Sequence, residues 1–375
     1  MGPSVAPPQR IVRLTALPEV LTSIGRLAPV APRSVSLAGA RGRVLAEDIC
    51  ASGAVPAIAT AARDGWAVAA DQVTDASSYA PVPMTGAVWV DAGDPMPPAT
   101  DAVLPPEAMS PAGGRQQALA AVPVGEDVLA PGSDAAPDTP LARRGTLLRA
   151  ADVAALHACG VERVAIREPR VTAIAAPGTR AHRDAAVALI ADAVAAAGGV
   201  ATSVFCDNGA DALARALRKL DADMIITIGG TGAGRQDGTV RTVAALGRVD
   251  HHGIGIAPGE TTALGACEKT PVLMLPGRLD AALAGWLLIG DPLLRRLSGA
   301  NEPEPAPRAT LARKITSTIG LAEIVLVRRT SDGVTPAAAR LFPLQATAQA
   351  DGYVVVPPES EGFPAGTNVA VRPLP

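Results

Sequence analysis

The run Met224-Ile-Ile-Thr-Ile-Gly-Gly-Thr-Gly-Ala-Gly-Arg-Gln-Asp-Gly-Thr239 constrains the fold more than any other stretch of this chain. Apolar, β-branched Met224–Ile228 has the character of a parallel strand buried on both faces. It empties into Gly229, Gly230, Gly232 and Gly234, and an amphipathic segment follows with Val240, Val243 and Leu246 on one side. Strand, glycine loop and helix in that order turn backbone N–H groups and a helix N-terminus toward an anion. Glycine is required because a Cβ blocks both the turn and the close approach of backbone to ligand. The spacing is neither the dinucleotide G-x-G-x-x-G nor the G-x(4)-G-K-[ST] phosphate loop, and no lysine closes it. The residues alone therefore specify an anionic small molecule of unnamed class, against the simpler alternative of a turn without ligand.

Composition narrows the rest. Hydrophobic residues make up 48% but aromatics only 2%, so the cores are built from Ala, Val, Leu and Ile. Thirty-three basic and 36 acidic residues give a net charge of −3, which offers no electrostatic footprint for nucleic acid. Cys50, Cys159, Cys206 and Cys267 are scattered without a C-x-x-C pair, which suggests reduced thiols rather than a zinc site or disulfide framework. The first residues lack the basic-then-apolar order of a secretion signal, and Ala281–Gly290 is too short for a bilayer span. A cytoplasmic protein is expected.

The pattern along the chain predicts four regions. Residues 1–50 and 138–168 carry helix signals at Leu17–Leu27 and Ala150–Cys159, forming a discontinuous helical linker region. Residues 51–137 are rich in Gly and Pro with short β-prone runs such as Ala87–Val90 and Ala102–Leu104, as in an inserted β-rich domain. Residues 169–300 alternate strands at Val171–Ala176, Val200–Phe205, Met224–Ile228 and Pro271–Leu275 with helices at Asp184–Ala197, Asp211–Leu220 and Leu279–Ile289. That alternation is the mark of a parallel-sheet α/β domain covered on both faces, with ligands at the carboxyl ends of strands. After the Pro-rich linker Asn301–Arg308, residues 301–375 hold the strand-like Ile315–Val327 and Asp351–Val356 of a compact β domain.

From end to end the chain resembles the MoeA-like molybdopterin molybdenumtransferases, the family that includes the E domain of gephyrin. Ala62-Arg-Asp-Gly-Trp-Ala67 is similar to the family's M-D-G-Y-A, and Ala92-Gly-Asp-Pro-Met-Pro with Asp101-Ala-Val to its A-G-x-P-x-P…D-A-V. Pro131-Gly-Ser-Asp134 resembles its G-x-D turn, and Thr227–Asp237 its G-G-x-S-x-G…D loop. Ala257-Pro-Gly-Glu260 and Leu275-Pro-Gly-Arg278 stand where the family has K-P-G-K-P and L-P-G-N-P, and Ala350-Asp-Gly-Tyr-Val…Pro357 resembles its A-D-G…P. The resemblance implies a multidomain subunit, α/β plus β, with a molybdopterin-binding α/β domain and a C-terminal β barrel, usually a homodimer. It implies that adenylylated molybdopterin and molybdate bind between the α/β domain of one subunit and the β-rich domain of the other. Magnesium-dependent cleavage of the adenylate then accompanies metal insertion.

Matching positions make Asp64, Asp134 and Asp237 the candidate catalytic acids, with Asp237 as a magnesium ligand, since that ion takes hard oxygen donors and keeps several waters. The plainer alternatives are a turn role for Asp64 and a helix N-cap for Asp237. Gly229, Gly230, Thr231, Gly232, Gly234, Pro276 and Gly277 are the candidate ligand-binding loop residues. The family's G-D-E-L is here Gly178-Thr179-Arg180-Ala181, its two lysines are Ala257 and Glu260, and its T-G-x-P threonine is Ala92. Both arginines of its G-R-x-E-F-x-R are missing from Gly320–Leu326, and its G-S-G loop has no counterpart. Replacing a lysine by Glu260 beside a phosphate turns attraction into repulsion, on the order of several kcal/mol in a partly buried cleft. Each ligand loop has instead gained a cation: Arg180, Arg235 and Arg278, with His182 and Arg183 near the first. Converging guanidinium groups grip phosphate bidentately; three solvated loop arginines are the alternative. His251-His252 suits a structural role, because neighbours on a strand point to opposite faces. Trp66 suits either a planar ligand or core packing.

Three functions follow from the sequence: a transferase of molybdenum cofactor biosynthesis; a non-catalytic molybdopterin carrier or scaffold serving molybdoenzymes or other biosynthesis proteins; and, from the loop alone, an activity like the molybdopterin adenylyltransferases.

Overall fold

In the computed structural model the described residues are 9–176, 180–206, 209–219, 221–234 and 237–375; of residues 180, 209 and 210 the backbone alone is described. The chain divides into two units. One runs to Glu47 and takes in Arg144–Val153 and Arg163–Pro375; the other holds Asp48–Arg143 and Ala154–Glu162.

The first unit is organised by a six-stranded sheet: β1 (Arg170–Ala175), β2 (Val200–Phe205), β3 (Met224–Ile228), β4 (Arg248–His252), β5 (Ala263–Cys267) and β6 (Thr270–Leu275), in the order β2-β1-β3-β6-β5-β4. β2, β1, β3 and β6 are parallel, with Val171 opposite Met224 and Ile225 opposite Val272. All five residues of β3 are buried, as its unbroken apolar run requires. The expectation of a wholly parallel sheet is corrected at β5 and β4, which run antiparallel. The two-residue connection Glu268–Lys269 between β5 and β6 permits only that direction, and Glu268 takes the left-handed φ of 53° that the tight turn needs.

Helices α1 (Leu17–Gly25) and α2 (Ala150–Ala158) precede the sheet, and α3 (Arg180–Ala196), α4 (Gly209–Lys219) and α5 (Thr239–Leu246) alternate with its strands. α6 (Leu279–Gly285) continues through a wide π turn at Trp286–Gly290 into α7 (Asp291–Ser298), beyond the predicted end at Ile289. The widened turn accommodates the Trp286 ring, and a Cβ on Gly290 would lie 2.4 Å from its Cε3 atom. The linker region is less helical than predicted. Arg33–Ser36 and Val44–Leu45 flank Arg163–Arg167 in an antiparallel sheet, which ties together the chain on either side of the insertion.

The C-terminal region centres on Ala322–Thr330, antiparallel to Gly333–Ala339 and Gly352–Val356 and extended on a parallel edge by Ile256–Ala257. Alternate residues of this strand serve two cores: Ile324 and Leu326 join the α/β core, whereas Val325 and Val327 join a local one with Leu311, Val334 and Val356. The remaining pairs, Arg308–Thr310 with Asn368–Ala370 and Ile315–Thr316 with Gly362–Phe363, stand as separate two-stranded sheets. The pairings form three sheets, linked by single bridges at Leu311–Val334 and Tyr353–Arg372.

In the second unit, Gly65–Val68 lies between Val88–Val90 and Ala102–Leu104. Trp66 packs edge-on against Trp89, with ring centroids 5.4 Å apart, and touches the local core of Val68, Met84 and Leu104.

Asp280, buried at the start of α6, joins the α/β and C-terminal regions. Its Oδ1 accepts the N–H of Ala281 and its Oδ2 that of Phe342, at 2.9 and 3.2 Å. Arg278 adds two bonds, from Nε at 3.2 Å and from Nη2 at 3.1 Å. Burial works to raise the carboxyl pKa, but Arg278 and the two amides outweigh it and hold the group below its ordinary 3.8. A depressed folded pKa means that the stabilisation is full at neutral pH and is lost as pH falls below about 4. The stability difference between wild type and Asp280→Asn, followed by denaturant melts from pH 7 to pH 2.5, is therefore expected to shrink on the acid side. Trp286, 2% exposed, gives a pH-independent contrast: Trp286→Ala is expected to cost about 3–5 kcal/mol throughout the same series.

Candidate functional site

The parallel register brings the ends of β1, β3 and β6 to one edge. A Cβ built on Gly229 would lie 3.7 Å from the Ala176 Cβ and 3.8 Å from the Gly277 Cα. Ala176, Gly229 and the Pro276-Gly277 turn are thus immediate neighbours, as the strand–helix alternation predicted. Gly229 and Gly230 have φ of 103° and 73°, which only glycine adopts freely. At Gly230 a side chain would also strike Thr239 Oγ1 at 2.3 Å.

The loop is ordered through its carbonyl groups. The Gly229 carbonyl accepts from Thr239 Oγ1 at 2.8 Å. The Gly230 carbonyl accepts from the Thr239 N–H at 3.1 Å and from Gln9 Nε2 at 3.0 Å. The Thr231 carbonyl lies 3.1 Å from His252 Nε2, a donor in the tautomer protonated there, and the Gly232 carbonyl accepts from Gln9 Nε2 at 2.9 Å. The Gly234 carbonyl accepts from the Asp237 N–H at 3.0 Å. The N–H groups divide differently. That of Gly229 donates to Leu275 and that of Gly234 to Asp237 Oδ2, but those of Gly230, Thr231, Gly232 and Ala233 meet no protein acceptor among the described residues. Successive amides left without acceptors in a glycine loop ahead of a helix are the ingredients of an anion nest.

Asp237 belongs to this loop, but not as the N-cap of α5. That helix starts at Thr239 with Gly238 as its cap residue and no side-chain cap, because the Asp237 carboxylate turns back to Gly234. Its Oδ1 has no partner among the described residues. Thr231 also bonds Thr261, Oγ1 to Oγ1, at 3.0 Å, which fastens the loop to the turn after Pro258. On that turn Glu260 accepts the Gly259 N–H at 3.1 Å.

The expected arginines are placed unevenly. Arg235 lies outside the described residues, as do Gly178 and Thr179, and Arg180 is the first residue of α3. Arg278 stands beside the loop edge with its side chain 61% exposed, committed to Asp280 by the pair described above. Arg183 is buried, donating to the Ala176 carbonyl at 2.8 Å and to Asp184 at 2.9 Å, so its charge supports the end of β1. Asp64 and Asp134 belong to the second unit, and both are exposed. Asp64 Oδ1 accepts the Ala92 N–H at 2.8 Å, a contact between loops 28 residues apart that joins two of the recognised motifs. His251 bonds Ser23 at 3.1 Å while His252 serves the glycine loop, two different partners as strand geometry requires. Among the described residues no three His, Cys, Asp or Glu side chains are grouped to hold a metal ion. A single carboxylate with one free oxygen, beside amides suited to phosphate, still fits magnesium, which commonly takes one or two protein carboxylates and completes its shell from phosphate and water.

Gln9 supports the loop with no signal in the sequence: it lies 221 residues from Gly230 and in no motif.

Comparison with known proteins agrees with this architecture. Residues 14–160 match the MoeA N-terminal region (domain I and II), 158–296 a probable molybdopterin binding domain, and 308–374 the MoeA C-terminal region (domain IV). Molybdopterin molybdenumtransferase 2 of Mycobacterium tuberculosis is 28% identical across 92% of this chain and 95% of its own length. Molybdopterin molybdenumtransferase 1 of the same organism is 26% identical across 74% of this chain and 77% of its own length. A molybdopterin biosynthesis MoeA protein from Pyrococcus horikoshii OT3 shares the fold, with a TM-score of 0.75 at 23% identity, covering 95% of this chain and 99% of that one. Among the described residues no helix is long and apolar enough to cross a membrane. With all three regions present in order, the chain belongs to the MoeA-like molybdopterin molybdenumtransferase family of molybdenum cofactor biosynthesis.

Proposed function

We propose that the glycine loop of this protein binds the phosphate end of molybdopterin, as its adenylylated form, and that the protein inserts molybdate into it. The run of amides at Gly230–Ala233 without acceptors among the described residues carries this proposal. Their carbonyls are held from behind by Thr239, Gln9 and His252, so the N–H groups are oriented before the ligand arrives and little ordering entropy remains to be lost. Charge-assisted bonds from such amides to a phosphate oxygen are roughly twice as strong as neutral ones. Asp237, fixed by the Gly234 N–H through one oxygen, presents the other toward the same loop. A magnesium ion bound there would neutralise phosphate charge and polarise the phosphoryl oxygen. By the family resemblance, Asp64 and Asp134 are the remaining candidate acids, with a homodimer as the working assembly.

One observation favours the second function, a pterin-binding carrier without turnover. Neither Ala257 nor Glu260 offers the positive charge of the family's lysines, and the guanidinium of Arg278 is neutralised by Asp280.

Purified protein with magnesium and molybdate separates the two. As a transferase it hydrolyses adenylylated molybdopterin, and Asp237→Ala lowers that rate at least about tenfold while binding persists, one charge-assisted contact being worth about 1.5–3 kcal/mol. As a carrier it binds molybdopterin without hydrolysis. In either case Gly230→Ala, which forces a side chain against Thr239 at a left-handed position, is expected to weaken molybdopterin binding at least about tenfold. Undiminished binding by Gly230→Ala in titration calorimetry would remove the glycine loop from the site.

A further inference from the structure

We infer that Gln9 is a positioning residue that holds the glycine loop in its anion-binding form. The inference rests on the loop being the ligand site proposed above. Gln9 is only 7% exposed, although it lies ahead of the first helix. Its amide makes three bonds: Nε2 donates to the carbonyls of Gly230 and Gly232, and Oε1 accepts the Arg241 N–H at 3.1 Å. Both donor hydrogens of the amide are used, and no other natural side chain of this length offers two donors and an acceptor without charge.

The three partners explain what the contact does. Arg241 is the third residue of α5, whose first-turn amides lack a side-chain cap from Gly238 or Asp237. Gln9 supplies that missing cap from a distant part of the chain, and with the same amide pulls two loop carbonyls to the side away from the nest. Gly230 and Gly232 flank Thr231, whose carbonyl is taken by His252, so three consecutive carbonyls are fixed by side chains from outside the loop. Without them, glycine-rich backbone samples many conformations, and few point successive N–H groups the same way.

The segment that carries Gln9 is itself anchored. Thr15 pairs with Ile254, donating to the Gly253 carbonyl and accepting from the Gly255 N–H, each at 2.8 Å. A Cβ on Gly253 would lie 2.4 Å from Ile11 Cγ2, so Ile11 is seated against that glycine. Gln9 meets the loop through the carbonyls of Gly230 and Gly232 and takes none of the loop's N–H groups among the described residues. That geometry is of support rather than of a segment occupying the site.

Gln9→Met keeps the length and packing of the side chain but makes none of the three bonds. Gln9→Glu keeps the acceptor for Arg241 but sets a carboxylate against two carbonyls. Three measurements on full-length protein decide the matter: hydrogen exchange of the peptide spanning residues 228–241, affinity for molybdopterin, and the thermal midpoint. Gln9→Met is expected to speed exchange in that peptide and weaken molybdopterin binding about tenfold, whatever small fall the thermal midpoint shows, with saturating molybdopterin restoring slow exchange. Gln9→Glu is expected to be the weaker binder of the two. A merely structural contact would lower the midpoint and leave the affinity alone; that result, or wild-type exchange in Gln9→Met, overturns the inference. If wild-type protein binds no molybdopterin, the proposed ligand fails, and exchange in the apo protein alone then decides the role of Gln9.

Discussion

The parallel hydrogen-bonded register of β1, β3 and β6 is the constraint on which the rest depends. Pairing Val171 with Met224 and Ile225 with Val272 sets three strand ends level, so that Ala176, Gly229 and Gly277 meet without side chains between them. A slip of one residue would reverse which side chains face each layer of helices and would separate these loops. The register is pinned by burial. Every residue of β3 is inaccessible, and its neighbours contribute Val171, Ala173 and Ala175 from one side and Leu273 and Leu275 from the other. An aromatic-poor composition serves this purpose, since small and β-branched residues let helices pack closely on both faces of the sheet.

Charge near the site is arranged less simply than the count of arginines suggests. Arg278 and Arg183 each stand where a strand ends, yet each has a carboxylate within 3.2 Å. A buried acid such as Asp280 is stable only with a partner, and the nearest cation is the one that the ligand loop acquired. The same pair also anchors Phe342, so its position answers to the joint between α/β and C-terminal regions as well as to the site. Under the proposed function, these two cations are committed to carboxylates, and the attraction for an anion that the described residues offer comes from the loop amides.

Much of this was legible in the residues, and the parts that were not share a cause. β3 and Val200–Phe205 match their sequence boundaries, because turn residues bracket runs whose period admits no other structure. The antiparallel β5 escaped notice because its turn into β6, Glu268–Lys269, has no glycine, asparagine or proline. Asp237 was a good N-cap by position, one residue from a helix start, but a loop of glycines offers its carboxylate a nearer amide at Gly234. The three loops at one edge followed from topology alone. The partners that order the glycine loop did not, since Gln9 and His252 reach it through tertiary contacts that no local pattern encodes.

These contacts bear on a conflict within the proposed function, in which the glycine loop matches the resemblance while Ala257 and Glu260 stand where it implies lysines. A lysine contributes a point charge that tolerates a loosely ordered loop, because attraction between opposite charges is not directional. Amide donors are directional, and their strength falls steeply when N–H and oxygen lose alignment. Under the proposed function, a site that relies on backbone dipoles must hold its backbone more firmly than one that relies on lysine charge. The loop of this protein meets that demand with four side chains, from Gln9, Thr239, His252 and Thr261, drawn from four separate stretches of chain. The Glu260 carboxylate is engaged on its own turn by the Gly259 N–H. The loss of the lysines and the bracing of the loop are thus two sides of one physical requirement.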